Sequence, residues 1–104
     1  MELKKIGTIS VAHFDIHNVS SDGEMALLLQ KDYVLYFCPR FKQWYYAVDS
    51  NIHMVNMLDV LIWSLVKELK EIKYEKNVTT WQLSISSDSM KEIIEDLLDY
   101  YLYK

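Results

Sequence analysis

The densest run of chemistry-bearing side chains in this 104-residue chain is His13-Phe14-Asp15-Ile16-His17. On a strand, alternate side chains project to the same side, so both imidazoles and the carboxylate would line one face. Two neutral imidazoles and a carboxylate can hold zinc or non-haem iron, and the ion would then activate water. Reach opposes this reading: alternate residues along a strand stand ~6.6–7 Å apart, so His13 and His17 meet at one ion only if the strand bends sharply. Asp22, Glu24, Asp49 and His53 are further donors, and no spacing rule selects among them. The plain structural reading is a polar, solvent-facing side of a strand. A metal-dependent hydrolase or nuclease on His13, Asp15 and His17 is therefore kept as the second functional reading.

Other chemical signatures are missing. Cys38 is the only cysteine, so neither an internal disulfide nor a cysteine-based zinc site can form, and its apolar setting reads as that of a small buried hydrophobe. Two glycines cannot build a phosphate-cradling loop, and no serine sits in a G-x-S-x-G turn. Arg40, the single arginine, is the only candidate for bidentate anion recognition. These omissions weigh against an enzyme, and no cofactor is expected.

Composition narrows the partners. Fifteen acids against eleven Lys and Arg give a net charge of −4, which argues against direct nucleic-acid binding, because phosphate contacts need clustered cations. The most apolar stretch, Leu58 to Leu69, carries Asp59, Ser64, Lys67 and Glu68 and is too short to span a bilayer. No apolar h-region follows Met1-Glu2-Leu3-Lys4-Lys5, so no signal peptide is visible and a cytoplasmic location is expected. Ten lysines to one arginine, with abundant Ile, Tyr and Asn, is the codon signature of an AT-rich genome, as in a low-GC bacterium or its phages.

The elements that must position these residues follow from periodicity. Ile6 to His17 reads as a strand whose apolar phase slips near Val11-Ala12, as a bulge would cause. Asp22-Gly23 signals a turn, and Glu24 to Lys31 is read as a second strand despite its helix-favouring residues. Tyr33 to Cys38 and Gln43 to Val48 are aromatic strands joined through Pro39-Arg40-Phe41-Lys42 as a hairpin. Asp49, Ser50 or Asn51 would then cap a helix from Ile52 to about Lys73, with Met54, Val55, Leu58, Leu61, Ile62, Leu65, Leu69 and Ile72 on its core stripe. Val78 to Ser86 alternates cleanly, with Trp81, Leu83 and Ile85 inward and Gln82 and Ser84 outward. Ser89-Met90-Lys91-Glu92 resembles a capping box opening a last helix, with Met90, Ile93, Ile94, Leu97, Leu98 and Tyr101 on its apolar face. The expectation is one compact α+β domain over residues 1–104. It is an antiparallel sheet of about four to five strands with two helices on one face, in the order β-β-β-β-α-β-α.

Two helix faces carry unusual surface chemistry. Opposite the core stripe of the long helix, Val60, Trp63 and Lys67 share a stripe with Asn56, Asp59 and Lys70, an apolar interruption of a wet face. Either another element covers Trp63 or the stripe is a contact surface, since Trp is the residue most enriched at binding hot spots. On the last helix Glu92, Glu95, Asp96 and Asp99 cluster with Tyr103 opposite the apolar face. That arrangement suits either simple solvation or the electrostatic capture of a basic partner.

The leading functional expectation is a small acidic cytoplasmic module that binds another protein. An inhibitor, an immunity-type protein or a phage or mobile-element anti-defence protein would work this way. Its candidate partner-binding residues are Val60, Trp63, Lys67, Glu92, Glu95, Asp96, Asp99 and Tyr103, and a basic or nucleic-acid-binding protein would suit the acids. A third reading is a homodimeric structural subunit joined through the 52–73 helix.

Overall fold

The computed structural model describes residues 2–18, 24–76 and 78–102, with side chains for 2–12, 30–72 and 81–102. Seven elements follow one another: β1 (Lys4–Asn18), β2 (Glu24–Cys38), β3 (Gln43–Val48), β4 (Asn51–Val55), α1 (Leu58–Lys76), β5 (Val78–Ile85) and α2 (Asp88–Leu102). The strands form one antiparallel sheet in the order β4-β3-β2-β1-β5. The fold is α+β, with the element order that the periodicity implies.

The register explains why both helices share one face. Ile9 pairs with Tyr33 and Leu35 with Tyr46, so Ile9, Val11, Tyr33, Leu35, Tyr46 and Val48 fall on one side of the sheet. There they form a single cluster with Leu61, Ile62, Leu65, Val66 and Leu69 of α1 and Ile94 and Leu98 of α2. Burial of such a side chain contributes roughly 1.5–3 kcal/mol, so this layer holds the fold together. Trp81, Leu83 and Ile85 pack partly against it while Gln82 and Ser84 stay exposed, as the alternation in β5 requires. Ile93, expected on the core face of α2, is instead an exposed flank residue.

β1 and β2 make a long hairpin, paired from Lys4 opposite Phe37 to Asn18 opposite Glu24. The pairing of β1 with β5 shifts register between Ala12 and His13, where the apolar phase of the sequence slips, and ends at His13. The pairing of β2 with β3 begins only at Val34. The far end of the hairpin therefore extends past the sheet, and the molecule is 58 Å long against 30 and 22 Å in its other dimensions. At the near end β1 and β5 approach so closely that a Cβ on Gly7 would lie 2.6 Å from the Ser84 carbonyl oxygen and 2.7 Å from Ile85 Cα. Glycine is the residue that fits there.

Two boundaries differ from the sequence reading, and they offset each other in the strand count. β2 is one continuous strand, not two. The Lys31-Asp32 pair is tolerated because β3 does not reach that far along β2, and the Lys31 ammonium meets Asp49 of the β3–β4 turn at 3.2 Å. The long helix begins at Leu58, not Ile52, and residues 51–55 form the edge strand. Asp49 and Ser50 both have positive φ (50° and 68°), the signature of a two-residue hairpin turn, and cap no helix. Met54 is accordingly exposed on a strand, while Val55 and Leu58 still reach the core. The first intrahelical bond of α1 runs from Leu61 N–H to the Met57 carbonyl, and that of α2 from Lys91 N–H to the Ser87 carbonyl. The cap of α2 therefore lies at Ser87, two residues before the expected box.

Candidate interaction surface

α1 owes its bare face to its own periodicity. Leu61, Ile62, Leu65, Val66 and Leu69 occupy the sheet side. At 100° per residue the opposite side then receives Val60, Trp63 and Lys67, with Met57 on the shoulder. No element of the described fold covers them: Met57 is 59% exposed, Trp63 53% and Val60 45%. The Lys67 ammonium stands 6.0 Å from the Trp63 ring centroid. The structure thus brings Val60, Trp63 and Lys67 together as one surface, with Met57 added.

The acids of α2 form a second surface on the same helical layer. Glu92, Asp96 and Asp99 are exposed on the side of α2 away from the buried Ile94 and Leu98. Glu95 is half-buried at the margin, with the Lys91 ammonium at 4.0 Å. Ile93 and Tyr100 add exposed apolar area on one flank. Tyr103 lies outside the described residues. α1 presents Lys67 and Lys70 together with Asp59 and Glu71, whereas α2 presents Glu92, Asp96 and Asp99, so the outer side of the helical layer is mixed in charge along α1 and mainly acidic along α2.

His13, Asp15 and His17 occupy alternate positions of β1 opposite Leu29, Leu27 and Met25 of β2, and their side chains lie outside the described residues. Among the described residues no group of three His, Cys, Asp or Glu side chains gathers as a metal site would need. Cys38 is a buried free thiol, as the sequence suggests. No described helix is long and apolar enough to cross a membrane.

Two features escaped the sequence reading. The first is a polar cluster at the margin of the core, where Glu68 is half-buried. Tyr33 and Tyr46 project from β2 and β3 toward Glu68 of α1, and the Tyr46 hydroxyl donates a hydrogen bond to the Glu68 carboxylate. Burial, with the Glu68 charge beside it, pushes the Tyr46 phenol up to about 12. Burial raises Tyr33 further, and the charges of Glu68 and Asp49 add to the shift. The Tyr33 hydroxyl and the second oxygen of Glu68 are buried with no protein partner, an arrangement that costs stability. His53 of β4 stacks on Tyr46 with ring centroids 4.8 Å apart. The only trace in the sequence is a glutamate on the shoulder of the apolar stripe. The second feature is the helix-free side of the sheet, which is apolar near β4: Ile52, Met54, Tyr45, Ala47, Val34 and Tyr36 share it by register. Assigning Ile52 and Met54 to a helix concealed it.

The chain matches no protein-family model, no curated protein and no solved structure.

Proposed function

We propose that this domain is a protein-binding module whose contact surface is the outer side of its helical layer. Trp63, Val60 and Met57 on α1 are the apolar anchors, and Glu92, Glu95, Asp96 and Asp99 on α2 steer a basic partner. The observation that carries the reading is Trp63: an indole 53% exposed in mid-helix, flanked by two further exposed apolar side chains. A monomer has little reason to leave such area in water, and Trp in the centre of a contact patch is the commonest hot-spot residue. Glu95 has Lys91 beside it on the same helix, and the excess of acid left on Glu92, Asp96 and Asp99 raises the rate of encounter more than the final affinity. Blocking a partner's surface by shape and charge is how an inhibitor, an immunity-type protein or a phage anti-defence protein acts. We place the domain in that group, in the cytoplasm.

Affinity capture from a low-GC bacterial host tests the reading, with wild type compared against Trp63→Lys and against Glu92→Lys/Asp96→Lys/Asp99→Lys. A specific partner should be lost with Trp63→Lys. Its capture should become slower and less salt-sensitive with the charge reversals. Equal recovery of the same partner by all three proteins would discard the helical layer as the contact surface.

A further inference from the structure

The two edges of the sheet are not equivalent. β4 is the outermost strand at one end, and Asn51, Ile52, His53 and Met54 are all exposed. Its two-residue turn makes Val48 and Asn51 a mutually hydrogen-bonded pair, and the pattern alternates from there. Asn51, His53 and Val55 therefore direct their backbone N–H and C=O groups at β3, while those of Ile52 and Met54 point away from the sheet. The side chains of the same two residues lie on the helix-free face, 61% and 56% exposed. The strand contains no lysine, no proline and no bulge, three devices that protect an edge from pairing. Beside it the helix-free face continues apolar through Ala47, Tyr45, Val34 and Tyr36. Beside β5 the same face is polar, with Thr8, Ser10, Gln82 and Ser84.

We propose that β4 pairs antiparallel with β4 of a second copy of this chain, about a two-fold axis at His53. Unpaired backbone groups in a row call for a strand, and the pattern of this strand fits itself. Residues 52 and 54 are apolar and symmetric about His53, and both carry the outward backbone groups. Ile52 of each copy thus lies opposite Met54 of the other in a hydrogen-bonded pair, made twice. No charge on the strand opposes its own copy. The pairing closes at two subunits, joins the sheets into one of ten strands, and brings the two apolar halves of the helix-free face together. It leaves the outer side of α1 and α2 open, so it stands or falls separately from the binding surface proposed above.

Sedimentation of the full chain across micromolar concentrations tests it. Wild type and Trp63→Lys should both be dimers. Met54→Pro deletes an outward N–H without touching the β3 ladder, and Ile52→Lys places like charges near one another across the axis. Each should weaken the dimer about tenfold or more with an unchanged far-ultraviolet circular dichroism spectrum. If Met54→Pro perturbs the fold, Ile52→Lys at its exposed site decides. A monomeric wild type, an open-ended polymer, a dimer that survives Ile52→Lys, or one dissolved by Trp63→Lys would each overturn the proposal.

Discussion

The Lys67 ammonium sits over the ring of Trp63, one helical turn back along α1, at 6.0 Å from the ring centroid. At an exposed site such a contact is worth about 0.5–1 kcal/mol, and it holds the indole against the helix surface. An anchor restrained before contact loses less entropy on binding. Trp63→Ala should therefore change unfolding free energy by less than about 1 kcal/mol, because only an exposed ring is removed and Ala favours helix. Partner capture should be abolished by the same change. Urea denaturation alongside capture separates the two effects, and a large loss of stability would mean that Trp63 supports the fold.

Tyr33 and Tyr46 converge on Glu68 with opposite expected consequences. Tyr33→Phe removes a buried hydroxyl that has no protein partner and should raise stability by roughly 1 kcal/mol. Tyr46→Phe takes away the donor that Glu68 has and should lower stability by roughly 1–3 kcal/mol. Chemical denaturation of the two variants reads the sign directly.

Alkaline pH should act through the same pair. Both phenols titrate higher in the folded chain than the ordinary value of 10, Tyr46 at about 12. The unfolded chain therefore releases these protons first as pH rises. Stability from this source is complete below pH 10 and is lost as pH climbs toward 12. Thermal unfolding followed from pH 9 upward should show that decline, and the Tyr33→Phe/Tyr46→Phe double variant should flatten it.

Gly7→Ala tests the contact between β1 and β5. Its Cβ would meet the Ser84 carbonyl and the Ile85 backbone at 2.6 and 2.7 Å, and backbone cannot swing aside as a flexible side chain does. The expected cost is about 1–3 kcal/mol, with faster amide exchange along β5.

In the β3–β4 turn, Ser50 holds φ at 68°. A side chain is strained there and glycine is not. Ser50→Gly should raise the thermal midpoint, by up to about 1 kcal/mol of stability, whereas a drop would mean that the Ser50 side chain makes a compensating bond.

Much of this protein was determined by its sequence alone, because the signals were local. The alternation in β5, the Pro39-led hairpin and the apolar stripes of α1 and α2 each depend on periodicity within one element. So does the bare face of α1: once Leu61, Ile62, Leu65 and Leu69 claim the sheet, Trp63 has nowhere to go but outward. What tertiary structure decided depends on partners distant in the chain. Ile52 to Val55 carry apolar spacing compatible with a helix and become a strand because β3 supplies a ladder. Lys31 stays within a continuous β2 because Asp49, eighteen positions on, meets its charge. Glu68, half-buried at the margin of the core, is set beside the Tyr46 hydroxyl that β3 brings there. Side-chain spacing records which face of an element is apolar, whereas long-range hydrogen bonds and ion pairs decide which element forms where the spacing permits two.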